Sequence, residues 1–412
     1  MSGKLMILAG AGLAALAVGA TALAQARGGG PAVYWMSADT ASGMAAMAAG
    51  TGQSGRPSAG AVMGQMFGGG RGGGASYVHN LTLQLGSPRR AAGPPSAEHV
   101  PPPGLQAGQV LPLLTPAAAP SATGPVQPWG QMQKPRGRML IYWGCGETAR
   151  PGQPAVIDFA SMAAGKIPPA FANMALKPMT PPSAATSATY GEWPNERSQT
   201  RVPAGGSLIG EHVIRGNYSP EIRFALGAGQ DFLAPVVLTS NSAGPSGSIP
   251  LVWRPVPGAR AWFGAVMGAA QNGDFIIWTS SETQAAMMAF DYIAEADIAR
   301  LVQSRVLMPA TADRCTVPAE VGRAAPQSML SLVAFGGESN FSQPRPATAP
   351  RAWRPEWTVK LRTKSTHMGL LGMTMPGMDD DDGGPAAEET PEQRKKRKKE
   401  RLREGLKGIL GQ

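Results

Sequence analysis

The chain is 412 residues long, with 54 Gly, 39 Pro, 16% charged and 43% hydrophobic residues, and a formal net charge of +10. Gly and Pro stand at roughly twice their ordinary usage without a G-X-Y period, which excludes collagen. Low charge beside substantial hydrophobicity excludes a wholly disordered chain. Gly or Pro breaks nearly every window long enough for a helix, which excludes a compact helical bundle. What remains is a loop-rich, mainly β protein.

The first four residues supply a short positive start at Lys4, and residues 5–24 carry no charge. Ala22-Leu23-Ala24 and Ala24-Gln25-Ala26 both fit the small-x-small pattern of signal-peptidase sites. This layout predicts a cleaved secretory signal over 1–26 and a periplasmic or secreted mature protein. The alternative is an uncleaved anchor, because an uncharged run of about 20 residues just crosses a bilayer. The G-x-G-x-x-A pattern at Gly10 and Gly12 lies inside this segment, with no strand–turn–helix unit to make it a dinucleotide fingerprint. An exported chain meets an oxidising compartment, so Cys145 and Cys315, the two cysteines of the chain, are expected to pair. The bridge would tie the first half of the chain to the second; two unrelated buried thiols are the alternative.

In chain order, residues 33–35 read as a strand within a Gly/Ala/Met-rich stretch, and 77–85 (YVHNLTLQL) as a stronger, alternating one. Residues 87–133 are Pro/Ala/Gly-rich and predict a long loop. Residues 138–143 and 156–159 follow as strands around a turn at 144–146, and 167–198 returns to linker character. Short strands are then predicted at 212–214, 222–226, 236–239, 251–253, 261–267 and 275–278, separated by Gly, Pro, Ser or Asn, a spacing that suits a β-sandwich or barrel. Residues 282–290 predict a helix that 294–301 extends, 302–307 looks extended, and 329–335 and 357–361 supply two last strands. The expected organisation is a signal (1–26), a first β block with Gly/Pro-rich inserts (27–165), a linker (166–207) and a second β-sandwich-like domain with one short helix (208–365). A flexible Met/acidic segment (366–390) and a basic amphipathic helix (391–412) complete it.

The segment Ile249-Pro250-Leu251-Val252-Trp253-Arg254-Pro255-Val256-Pro257-Gly258-Ala259-Arg260-Ala261-Trp262 resembles the B–C region of a fibronectin type III-like domain. There a strand with a core Trp passes through a Pro/Gly turn into the next strand. The resemblance covers residues 249–278 and implies a β-sandwich, with no particular activity. An internal echo links the Trp-centred segments at Trp35, Trp143 and Trp278, each with a small residue and an acid shortly after it. A strand end that buries Trp before a turn accounts for all three; three copies of one ligand site are the alternative.

Catalytic motifs are absent. His79, His99, His212 and His367 show no metal-binding spacing, and neither a G-x-S-x-G elbow nor a Walker A loop occurs. Cys145, between two glycines and near Glu147, is a conceivable nucleophile with His212 as base, but oxidation on export removes the thiol. Methionines offer a sharper pattern: Met44, Met47, Met63 and Met66 near the start, and His367, Met368, Met373, Met375 and Met378 near the end. Thioethers are soft ligands suited to Cu(I); the alternative is that Met is an adaptable apolar filler.

The tail is organised by charge. Six acids between 379 and 389 precede a helix-start pattern at Thr390-Pro391 and the basic run Arg394, Lys395, Lys396, Arg397, Lys398 and Lys399. Leu402, Leu406, Ile409 and Leu410 fall on one helical face, suiting contact with an anionic envelope surface or acidic polymer. A solvated tail folding back on the acids is the alternative, and specific nucleic-acid binding is not expected. Because the six acids balance the net charge of 391–412, the basic excess belongs to residues 27–378. The functional expectation is an exported, non-enzymatic binding or envelope-associated structural protein without a resident cofactor. A periplasmic Met-rich copper-binding protein and a hydrolase with dispersed catalytic residues are the alternatives.

Overall fold

The structure, a computed structural model, describes residues 30–50, 77–116, 137–158, 179–198, 200–284 and 291–373. The chain is mainly β, as expected. From the N-terminus run β1 (Ala32–Gly43), α1 (Met44–Gly50), β2 (Tyr77–Ser87), β3 (Ala97–Val100), β4 (Leu111–Pro112), β5 (Arg138–Trp143), β6 (Ala155–Asp158) and β7 (Thr189–Trp193). Then come β8 (Gly210–Gly216), β9 (Ile222–Leu226), β10 (Leu238–Asn241), β11 (Ile249–Trp253), β12 (Ala261–Ala269) and β13 (Phe275–Thr279). The rest are α2 (Glu295–Gln303), β14 (Met308–Pro309), β15 (Arg314–Val317), α3 (Ala319–Ala324), β16 (Met329–Ser342) and β17 (Trp357–Leu370). No helix among the described residues is long and apolar enough to cross a membrane.

One large sheet has the order β6-β5-β13-β12-β16-β17-β1-β2-β7, with β14 beside β12. The β1–β17 and β5–β13 pairs are parallel, and the other pairs in this sheet are antiparallel. Strand side chains alternate between faces, so each register places a whole set of residues on one side. On one face, Tyr34, Met36, Leu81, Leu83, Val359 and Leu361 pack against the four-stranded sheet β4-β3-β8-β9. Further along the same face, Trp262, Val266, Trp278, Leu330 and Leu332 pack against the three-stranded sheet β10-β11-β15 through Leu251, Trp253 and Val317. Two sandwich-like halves result, but each is assembled from distant parts of the chain. The strands expected to form separate blocks at 27–165 and 208–365 are interleaved in one sheet.

Two stretches expected to be linkers contain strands. β3 and β4 lie inside 87–133, and β7 lies inside 167–198. All three are five residues or fewer, and Pro101–Pro103 closes β3 at once, so no periodic run was long enough to register. The helix expected at 282–290 does not start there: 282–284 form a bend and turn, and 285–290 lie outside the described residues. α2 runs through Gln303, which replaces the first part of the extended segment expected at 302–307. The expected signal (1–26) and basic helix (391–412) also lie outside the described residues.

Helix α2 sits on the opposite face of the large sheet, where Ile298 and Leu301 meet Ala261, Phe263, Val333 and Phe335. Its Ala294 N-cap supplies no side-chain bond, and the Glu338 carboxylate accepts the Glu295 N–H instead at 3.2 Å. That anchor holds the preceding residues Asp291–Ile293 over β17.

Gly43 ends β1 with φ +62°, and a Cβ there would lie 2.4 Å from the Met368 carbonyl oxygen. Gly43→Ala therefore combines left-handed strain with a backbone clash across the β1–β17 pair and should destabilise by about 2 kcal/mol. A urea-unfolding midpoint equal to that of the parent protein contradicts this.

Candidate functional site

Half of the large sheet leaves its second face free of the helix. There the register stacks three rungs across β2, β1 and β17: Gln84–Trp35–Lys360, Thr82–Ser37–Arg362 and Asn80–Asp39–Lys364. Pro181, Asp291 and Tyr292 join most of these residues in lining a cleft of about 360 Å³, a size suited to a small molecule. Ordinary strand alternation produces it: odd positions of β17 enter the core, and even positions carry Lys360, Arg362, Lys364 and Thr366 to this face.

Arg362 is the centre of the site. It is 6% exposed, its Nε donates to Ser37 Oγ at 2.7 Å, and its guanidinium lies over the rings of Trp35 (5.0 Å) and Tyr292 (4.1 Å). Burial lowers its pKa from the ordinary arginine value, but an arginine side chain stays charged in proteins. Cation–π contact of this kind contributes about 2 kcal/mol when desolvated. The two lysines are matched to acids: Lys360 is ion-paired with Glu338, and Lys364 Nζ is 2.8 Å from Asp291 Oδ1. Asp39 Oδ1 accepts a hydrogen bond from Thr366 Oγ1 at 3.0 Å, and burial pushes its carboxyl above the usual range against the pull of Lys364. Burial holds Tyr292 well above the ordinary tyrosine value, so it remains a neutral phenol. The cleft thus offers a fixed guanidinium beside the Lys364–Asp291 pair, the Asp39 carboxyl, amide and hydroxyl groups, and the Tyr292 ring.

All four histidines lie away from it. His79 and His367 occupy the core-facing positions of β2 and β17; His99 and His212 sit in the small sheet beneath. The Leu208 carbonyl can only accept, so His212 Nε2–H donates to it at 2.7 Å, leaving Nδ1 to accept from His99 Nε2–H at 2.9 Å. His99 Nδ1 must then accept from the Tyr34 hydroxyl, also at 2.9 Å. The result is a one-way chain of neutral groups, with both imidazoles fully buried. His79 stacks on Phe232 with ring centroids 4.0 Å apart. Ser42 Oγ spends its hydrogen on the Val236 carbonyl, so His367 Nδ1–H donates to Ser42.

These placements decide several sequence expectations. The sulfurs of Cys145 and Cys315 stand 2.07 Å apart, disulfide-bonding distance, in a partly apolar pocket of the second half-core. That removes the Cys145–His212 nucleophile pair, since the thiol is consumed and His212 is enclosed in the relay. Within the methionine set, His367 and Met368 are neighbours in β17 and point to opposite faces, while Met373 is 55% exposed. Met63, Met66, Met375, Met378 and the basic run Arg394, Lys395, Lys396, Arg397, Lys398 and Lys399 lie outside the described residues. Among the described residues, no group of three His, Cys, Asp or Glu side chains is placed to hold a metal ion.

The tryptophan echo divides. Trp278 is fully buried and donates to the Gly144 carbonyl at 2.9 Å, and its strand β13 runs parallel to β5, which carries Trp143. Trp35 instead faces the cleft in mid-strand. The segment at 249–278 splits between two sheets, with β11 in the small sheet, β12 and β13 in the large one, and the Trp253 and Trp262 rings 5.3 Å apart. Ser37 and Asp39 belong to the echo at Trp35, for which a ligand site was the alternative reading; the residues that sequence reasoning missed are Arg362 and Lys364. Their one signal is the K-L-R-T-K alternation at 360–364, a strand whose outward positions are all basic.

Compared with protein-family models, curated proteins and solved structures, the chain matches none.

Proposed function

We propose that this protein is an exported, non-enzymatic binding protein that holds a small polar ligand in the cleft formed by β1, β2 and β17. The observation that carries this reading is Arg362: a charge 6% exposed, fixed by Ser37 and two aromatic rings, lines the cleft. Burying a guanidinium on a sheet face is costly, whereas an apolar residue there would pack against Trp35 and Tyr292 without that cost. Export is supported by the N-terminal layout and by the paired cysteines. Binding is favoured over hydrolysis because the acids of the cleft are committed, Asp291 to Lys364 and Asp39 to Thr366.

Thr82 is exposed at the cleft wall, so Thr82→Trp should fill the cavity without disturbing the core. A thermal-shift screen of sugars, amino acids and organic acids against the full chain is expected to yield ligands whose shift disappears in Thr82→Trp. Ligands that stabilise both proteins equally would place the binding site elsewhere.

A further inference from the structure

We propose that the ligand of this cleft carries a carboxylate, bound in bidentate fashion by the terminal nitrogens of Arg362; this rests on the binding reading above. Three observations lead to it. The Nε of Arg362 is committed to Ser37 Oγ at 2.7 Å, which leaves the two terminal nitrogens as the donors the side chain has to offer. Lys360 and Lys364 each have a protein carboxylate as partner, Glu338 and Asp291, whereas among the described residues no carboxylate hydrogen-bonds to Arg362. The third is rigidity: ring contacts at 4.1 and 5.0 Å hold the guanidinium before any ligand arrives. A planar fork with its orientation fixed matches a carboxylate edge, and pre-organisation reduces the ordering cost of binding.

The charge inventory disfavours a phosphate: Lys360 and Lys364 are paired with Glu338 and Asp291, and Asp39 adds a further carboxyl to the lining, so a dianion finds no surplus of cations. Asn80, Thr82 and Gln84 span three rungs on the β2 side of the cleft. They suit hydroxyl groups on the body of the ligand, so a hydroxylated carboxylate such as a sugar acid fits the lining as a whole.

The test is isothermal titration of the full chain with acetate, lactate, succinate and D-glucuronate, against D-glucose and inorganic phosphate. D-Glucuronate is expected to bind at least about tenfold more tightly than D-glucose, the scale of a charged hydrogen-bond pair. Arg362→Lys keeps the charge and loses the fork, and should weaken that binding by at least about tenfold. Circular dichroism and the melting temperature check that it folds, and Arg362→Met serves as a second variant if it does not. If D-glucose binds as well as D-glucuronate, and Thr82→Trp abolishes both, the cleft reading stands and the carboxylate assignment falls. Phosphate binding tighter than every carboxylate, or no carboxylate binding tighter than about 1 mM, also overturns it. If D-glucuronate binds Thr82→Trp and the Arg362 variants unchanged, the cleft reading itself fails.

Discussion

Lowering the pH from about 7.5 to about 4.5 is expected to remove several kcal/mol of stability, well before most carboxylates protonate. All four histidines are buried and have pKa values below the ordinary 6.5, with burial as the largest cause in each case. His367 is lowered to about 4. A histidine held neutral in the fold binds fewer protons than the unfolded chain does between its folded pKa and 6.5. Its stabilisation is therefore complete above pH 6.5 and is lost as the pH falls below that value. For His367 alone the loss is on the order of 3 kcal/mol by pH 4. His99 adds to this, because His212 disfavours its cation as well as burial. The relay sharpens the effect: a proton on His212 Nδ1 would face the donor N–H of His99, breaking the chain. Asp39 acts in the opposite sense: its raised carboxyl takes up a proton in the folded state before the unfolded chain does, which offsets part of the loss. Urea unfolding across this pH range should show the decline, and His367→Asn should remove its share. A midpoint unchanged between pH 7.5 and pH 4.5, values bracketing the histidine range, would show that the imidazoles are not held neutral by the fold.

Replacing Cys145 and Cys315 together by Ala should lower the unfolding free energy by about 5 kcal/mol, the chain-entropy value for a loop of this length. The cysteines are 170 residues apart, and the loop they close runs from β6 to β14. The native arrangement at the bridge has other support. Gly146 N–H donates to the Thr316 carbonyl at 2.9 Å, Ala319 N–H to the Glu147 carbonyl at 3.0 Å, and Ala149 N–H to Glu320 at 2.9 Å. The folded structure should therefore persist in the double variant, with an unchanged circular dichroism spectrum and a lower melting temperature. Dithiothreitol should lower the parent protein to the same value and leave the variant where it is. A variant as stable as the parent would mean that the bridge contributes nothing to the fold.

How much was legible can be traced residue by residue. β5 is predicted at its true bounds because Met139–Trp143 is an apolar run, with Arg138 before it, between Gly137 and Gly144. β16 is predicted at half its length, 329–335, and β17 at about a third, 357–361, against fourteen residues apiece. Their outer halves alternate through Gly, Ser, Thr, Lys and His, residues that do not look like strand until a partner supplies the ladder. The cleft was illegible for a related reason. Asp39 and Lys364 are 325 positions apart, and although Asp39 stands in the Trp35 echo, nothing local joins it to Lys364.

By itself, the sequence determined the mainly β class, most strand positions and the choice of Cys145 with Cys315, because these follow from residue chemistry and short-range periodicity. Only the tertiary structure decided that β1 lies parallel to β17 and that β5 lies parallel to β13. A parallel pair between distant segments needs no turn and leaves no local signature, so its register is selected by which faces the packed sheets can bury. That selection carried the histidines inward and left Arg362, with Ser37 and Asp39, on the open face.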